Sequence, residues 1–242
     1  MVKHMRNEFD AFIDDLRHSH GKNLVSVILY GSAAAGDYIA SSSDYNILIA
    51  LQRITPQDLR NAHASVREWQ KMGHPVPVYF TVSELQNSAD VFPIEFLQME
   101  TARKVIFGKD VLEGLTISDE SLRHQVEYEL RSKLIRLRRH YIPASQSVEG
   151  LARLMTESLS SFATLFRAIL ALLEVDPPAK KHDVVALTAS RLGIDFLPFE
   201  KIFNIRADNF AQNLDEVSTN KLFADYLEQI ERVIDFVDGM EK

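Results

Sequence analysis

Hydrophobic and polar positions follow two different periods along this chain, and the change comes near residues 114–118. Before that point, short apolar runs rich in β-branched and aromatic residues alternate with segments of helical period, which predicts strands separated by helices. After it, every long segment has the period of an amphipathic helix. The pattern predicts an α+β fold: a mixed β-sheet domain with flanking helices over residues 1–115, then an all-α helical bundle over residues 116–242.

The first half is predicted to contain four strands. Residues 23–30 form an apolar run between two glycines, which is typical of a buried strand. The other predicted strands cover residues 45–51, 76–82 and 104–108. Helices are predicted over residues 7–18 and from Thr55, a capping residue followed by proline, to Met72.

Five helices are predicted in the second half, and prolines or a glycine separate most of them. The predicted ranges are residues 124–141, 148–173, 183–192, 199–205 and 221–237. The breaks are Pro143, Pro177–Pro178 and the region of Gly193.

The stretch with the most specific chemistry is Gly31-Ser32, after the first strand, followed by Asp44 and Asn46 around the start of the second. Gly31 permits a sharp turn, and its missing side chain lets a ligand approach the main chain. The alanines after Ser32 favour a helix start, whose N–H groups suit a phosphate. Side chains alternate along a strand, so Asp44 and Asn46 should project from one face, beside the turn if the strands are neighbours.

This arrangement resembles the nucleotidyltransferase superfamily related to DNA polymerase β, including the minimal and aminoglycoside nucleotidyltransferases. The family pattern is an apolar residue, Gly-Ser, a gap, and Asp-x-Asp between apolar residues; Gly31, Ser32 and Asp44 match it. The resemblance covers about residues 23–110. It implies transfer of a nucleoside monophosphate from a magnesium-bound nucleoside triphosphate, ATP above all, to a hydroxyl of a small molecule or protein. It also implies that Gly31 and Ser32 bind the nucleotide, and that Asp44 and position 46 are catalytic and bind the metal.

Two departures from the family pattern reduce the expected charge of the metal site. Asn46 stands where the second carboxylate belongs, and the predicted strand over residues 76–82 has no acid where the family places its third. An asparagine oxygen can coordinate magnesium but carries no charge, so we expect one magnesium position rather than two. Glu84 is nearest to the missing third position, although Thr81 to Glu84 fits a capping box, which is the favoured interpretation.

Three functions remain open at this stage. The chain is an active nucleotidyltransferase, a nucleotide-binding pseudoenzyme, or a non-catalytic interaction module that uses its helical half. Glu95 and Glu100 are interpreted as solvated helix-surface residues. A basic segment over residues 131–141 could line a cleft, but a solvated helix face with Glu127 and Glu129 as ion partners is favoured.

Composition narrows the expected partners and location. A formal net charge of −7 argues against general attraction to nucleic acid. The absence of cysteine suits a reducing cytoplasm, and no apolar stretch is long enough to span a bilayer. We therefore expect a cytoplasmic protein whose partners are a nucleoside triphosphate and an unknown acceptor. The apolar face of the last helix fits a homodimer and packing within the chain equally well.

Overall fold

The computed structural model of the protein describes residues 2–31, 33–34, 45–208 and 215–241. These residues belong to two compact units, Met1–Ser118 and Asp119–Lys242. The first unit combines a four-stranded sheet with helices, and the described part of the second is helical. The predicted α+β fold followed by a helical bundle is therefore confirmed.

The sheet of the first unit has the strand order β3-β2-β1-β4. Its strands are β1 (Leu24–Tyr30), β2 (Asn46–Leu51), β3 (Val78–Thr81) and β4 (Arg103–Gly108). β1 runs antiparallel to both β2 and β4, and β2 runs parallel to β3. At the end of β1, Tyr30 is directly opposite Asn46. The four predicted strands all form, and the third is shorter at both ends than its apolar pattern suggests.

Helices cover both faces of this sheet. They are α1 (Val2–His20), α2 (Pro56–Asn61), α3 (His63–Lys71), α4 (Val82–Asn87) and α5 (Pro93–Thr101). Alternation along the central strands explains the two layers, because successive side chains point to opposite faces. One face carries a core made with α1 and α3, whose strand members are Val27, Leu29, Ile47, Ile49 and Leu51. The other carries a core made with α4 and α5, whose strand members are Ile28, Leu48 and Ala50.

The predicted single helix from Thr55 to Met72 is two helices, α2 and α3, which meet at Ala62. Thr55 caps the first of them as expected: its hydroxyl accepts from the backbone N–H of Asp58, whose carboxylate accepts from Thr55 N–H. The two helices differ in burial, because α2 buries no residue whereas α3 buries Ser65 and Trp69.

Gly108 ends β4 at a close approach of two backbones. A Cβ placed there would lie 2.0 Å from the carbonyl oxygen of Val25, and the residue has φ +77°. Both the space and the backbone conformation therefore require glycine. Next to this contact, the buried Ser26 hydroxyl donates to the Lys109 carbonyl oxygen at 2.6 Å. Together these contacts fix the end of β4 against β1.

The second unit consists of helices packed around an apolar core. Over the described residues they are α6 (Asp119–Ala144), α7 (Val148–Leu172), α8 (Lys181–Leu192), α9 (Leu197–Asp208) and α10 (Glu216–Asp238). The largest fully buried side chains are aromatic: Phe162, Phe166, Phe199 and Tyr226. The Tyr226 hydroxyl lies 3.2 Å from Ser158 Oγ, which satisfies both groups in the core.

α6 extends beyond its predicted limits at both ends. It begins at Asp119, where the polar first turn hides the helical period from the sequence, and it includes Pro143, which was predicted to break it. A proline in the final turn removes one helical hydrogen bond but leaves the preceding turns intact, so the helix reaches Ala144.

Candidate functional site

The turn after β1 is held by two backbone hydrogen bonds. Gly31 has φ +80°, a left-handed conformation that favours glycine. Its N–H donates to the carbonyl oxygen of Ala102 at 2.9 Å, and its own carbonyl oxygen accepts from Ala34 N–H at 2.9 Å. Two amide groups of the turn are therefore already paired inside the protein. Gly31 leaves room for a ligand to approach but does not have a spare N–H to offer it.

Asn46 lies beside this turn. It is half-buried at the start of β2, opposite Tyr30, and a Cβ placed on Gly31 would lie 3.4 Å from its Nδ2 atom. Antiparallel pairing of β1 and β2 produces this arrangement, because it places the last residue of one strand beside the first residue of the other. The structure thus brings Gly31 and Asn46 together at one end of the sheet.

Two of the residues that the resemblance assigns to the site are not among those described. Ser32 and Asp44, proposed for the nucleotide and for the metal, lie outside the described residues. The predicted helix start after Ser32 lies mostly outside them as well; Ala33 and Ala34, which are described, form a turn.

An aromatic cluster on the sheet face covered by α1 and α3 packs against the start of β2. Tyr45, next to Asn46, is 2% exposed. Its ring centroid lies 5.1 Å from that of Phe9, 4.6 Å from that of His74 and 6.2 Å from that of Trp69. Because side chains alternate along a strand, burial of Tyr45 on this face directs Asn46 to the other. Packing of Tyr45 and the pairing of Asn46 with Tyr30 therefore both position Asn46.

On the face covered by α4 and α5, helix α5 carries an acid, Glu95, whose position the sequence did not reveal. α5 packs there, with Phe96 and Met99 buried and Tyr30 against the same core. Burial raises the pKa of the Tyr30 hydroxyl, and the nearby negative charge of Glu95 raises it further. Glu95 is exposed, as the sequence pattern suggested, but it acts on a residue that pairs with Asn46. No local pattern identifies it, since its position depends on how α5 docks on β1.

Glu84 is a capping residue. Its carboxylate accepts from Thr81 N–H at 2.7 Å, and its own N–H donates to the Thr81 hydroxyl at 3.1 Å, which confirms the capping box. β3 itself contains no acid, and its pairing with β2 begins at Val78 opposite Leu48, beyond the level of Asn46. The third strand therefore brings no carboxylate to this end of the sheet.

The described residues offer limited support for a metal. Within residues 2–31, 33–34, 45–208 and 215–241, no three acidic or histidine side chains come together in a way that could hold an ion. Two magnesium ions do not fit the neutral amide of Asn46 and a third strand without an acid.

In the described part of the chain, no helix has the length and apolar character that crossing a membrane requires.

The basic segment of α6 forms part of a helix surface. Arg131 pairs with Glu127 at 2.7 Å and with Asp238 at 3.6 Å, and Arg138 pairs with Glu231 at 2.5 Å. These contacts lie within the second unit and agree with the solvated face that the sequence favours. Exposed pairs of this kind contribute little stability, so their main effect is to orient the arginines.

The sequence matches no protein-family model and no curated protein. Among solved structures, the chain is similar to spectinomycin adenyltransferase AAD(9) from Enterococcus faecialis, whose structure contains ATP and spectinomycin. The TM-score is 0.60 at 13% identity, and the match covers 94% of this chain and 98% of that one. At this level of identity the likeness concerns the fold. The chain has a nucleotidyltransferase-type α+β fold with a helical second unit.

Proposed function

We propose that the chain binds a nucleoside triphosphate, ATP, at the Gly31 turn and transfers its nucleoside monophosphate to a hydroxyl of a small molecule or protein. The observation that carries the proposal is the left-handed turn at Gly31 beside Asn46, at the end of a strand pair. The turn lies in a nucleotidyltransferase-type fold, which is why we interpret it as a triphosphate site, and the similar adenyltransferase is solved with ATP.

The roles of the residues follow from their chemistry. Gly31 leaves the backbone accessible to the triphosphate, while Ser32 supplies a hydroxyl donor. Since Gly31 N–H is already paired with Ala102, the Ser32 hydroxyl and other donors must carry the phosphate contacts. A single magnesium ion would be held by the Asp44 carboxylate and the Asn46 amide oxygen, and its chemistry would be to neutralise phosphate charge.

A second candidate is nucleotide binding without transfer. Asn46 favours it, because it replaces a full negative charge with a neutral amide where a hard cation would bind. The missing acid on β3 favours it as well. Both candidates need the same pocket, so they differ in turnover and not in nucleotide affinity.

Titration calorimetry of magnesium-ATP into the wild type, Asp44→Ala and Asn46→Asp tests the pocket. We expect magnesium-dependent binding that Asp44→Ala abolishes and Asn46→Asp makes more dependent on magnesium. Pyrophosphate release from ATP separates the two candidates, since only the transferase produces it. No heat of binding at millimolar nucleotide would reject both candidates.

A further inference from the structure

We propose that Arg103 is a positioning residue for the nucleotide turn at Gly31, an inference that rests on the proposed function. Arg103 begins β4 and follows Ala102, whose carbonyl oxygen accepts the hydrogen bond from Gly31 N–H. By holding the segment that carries this carbonyl group, the Arg103 side chain keeps the turn in place and acts on the nucleotide only through it.

The hydrogen bond between Gly31 and Ala102 extends the pairing of β1 with β4 by one residue. In the register of this antiparallel pair Tyr30 lies opposite Arg103, and the bond from Gly31 to Ala102 comes directly after them. Hydrogen bonds at the end of a strand pair open easily, and a glycine adds backbone freedom. A restraint on the Ala102 side therefore decides how firmly the turn is held.

Arg103 supplies this restraint through two hydrogen bonds. Its Nη1 atom donates to the carbonyl oxygen of Glu100, in the last turn of α5, at 3.1 Å, and its Nε atom donates to Asp110 Oδ2 at 2.8 Å. The first bond satisfies a carbonyl group that the end of a helix leaves without an intrahelical partner. The second joins two opposite charges, which makes it stronger than a neutral hydrogen bond. One side chain thus ties the backbone on both sides of Ala102.

Asp110 connects the arginine to the core of the first unit. Its other carboxylate oxygen accepts from Leu112 N–H at 3.0 Å, and Leu112 is 2% exposed in the core made with α4 and α5. The side chains of Arg103 and Asp110 are 21% and 26% exposed, so water competes for this pair less than for a fully exposed one. A continuous chain of contacts therefore runs from the buried Leu112 through Asp110 and Arg103 to the turn.

The test compares the wild type with Arg103→Met and Asp110→Asn, and with Ser26→Ala as the matched control. Arg103→Met removes all donors of the side chain, whereas Asp110→Asn keeps the shape of the acid and is the milder change. Ser26→Ala loosens the other end of the same strand pair, because the buried Ser26 hydroxyl donates to the Lys109 carbonyl oxygen. All three changes remove hydrogen bonds from β4 and its flanks, but only the first two act beside the turn.

Two measurements report on the turn. Amide exchange at Gly31, followed by NMR without nucleotide, reports opening of its bond to Ala102, and calorimetry gives the Kd for magnesium-ATP. We expect Arg103→Met and Asp110→Asn each to raise the exchange rate and the Kd by about tenfold, the scale of one charged hydrogen bond. The double variant should match Arg103→Met, because the two side chains act as one pair. Ser26→Ala should leave both quantities within about twofold of the wild type, because its effect is at the far end of the strands.

The two readouts separate failure of this inference from failure of the proposed function. If the wild type binds no ATP, the proposed function fails, and only the hold of Arg103 on the turn, seen in exchange at Gly31, would stand. If exchange in Arg103→Met and Asp110→Asn equals that in Ser26→Ala, or if their Kd stays at the wild-type value, the positioning role is rejected while nucleotide binding stands. Should Arg103→Met fail to fold, Asp110→Asn decides by the same two criteria.

Discussion

Gly31→Ala should separate two roles of the glycine, its backbone conformation and the space it leaves. At φ +80° an alanine is strained, and a left-handed residue with a Cβ costs about 1–2 kcal/mol. The new Cβ would lie 3.4 Å from Asn46 Nδ2, which is an ordinary contact and adds no clash. The free energy of unfolding should therefore fall by about 1–2 kcal/mol, which a domain of ordinary stability tolerates.

The same methyl group should have a larger effect on ATP. It would stand between the turn and Asn46, in the space through which a triphosphate would approach the backbone. We expect at least a tenfold rise in Kd, equivalent to about 1.4 kcal/mol. Gly21→Ala is the matched control, because Gly21 has φ +53° and no atom within 4 Å of its would-be Cβ. It should show the conformational cost with unchanged ATP binding.

Fluorescence of the single tryptophan measures the stability of the first unit by itself. Trp69 is fully buried in the core between α1, α3 and the sheet, so its emission reports unfolding of that unit. Denaturant titration gives the change in unfolding free energy, and calorimetry gives the Kd for magnesium-ATP. Equal ATP affinity in the wild type and Gly31→Ala would refute the placement of the nucleotide at this turn.

Three further changes test other parts of the structure. Asn46→Asp should raise by about tenfold the ratio of the ATP Kd without magnesium to the Kd with magnesium, both measured by calorimetry, since a carboxylate adds charge at a cation ligand. An unchanged ratio would remove Asn46 from the metal site. His20 is 7% exposed, and its burial lowers its pKa from 6.5, although the nearby charge of Asp58 acts in the opposite direction. The folded state therefore binds fewer protons than the unfolded state. Wild-type stability followed by fluorescence should therefore fall as pH drops below about 6.5, and His20→Leu should reduce that slope; parallel slopes would contradict the assignment. Gly108→Ala should cost about 3 kcal/mol or more, because backbone strain adds to a contact of 2.0 Å with Val25, and a wild-type melting temperature would show that β4 can move away.

The fold could be predicted from the sequence because its signals are local. Strand and helix periods separate clearly, and the glycines around the run at residues 23–30 mark where β1 stops. The neighbourhood of Gly31 and Asn46 also followed from simple rules, since alternation and an antiparallel pair leave few other arrangements. Thr81 and Glu84 form the capping box that their spacing indicates.

What the sequence did not reveal depends on contacts between distant segments. Glu95 looks like any exposed helical acid until α5 is placed against β1, and only then does its charge act on Tyr30. The hydrogen bond that Gly31 N–H donates is accepted by the carbonyl oxygen of Ala102, which no local motif connects to the turn. The break at Ala62 was missed because no glycine or proline marks it, although α2 buries no residue and α3 buries Trp69.

The bond between Gly31 and Ala102 also has a consequence for the order in which the protein acquires its site. β1 and β2 are close in sequence and can pair early, whereas Ala102 reaches the turn only after β3, α4 and α5 have been made. A chain released or cleaved before residue 102 would still contain Gly31 and Asn46, but the partner that fixes the turn would be missing. The turn should therefore be completed only after α5 has been made, later than the pairing of β1 with β2, and amide exchange at Gly31 would report its completion.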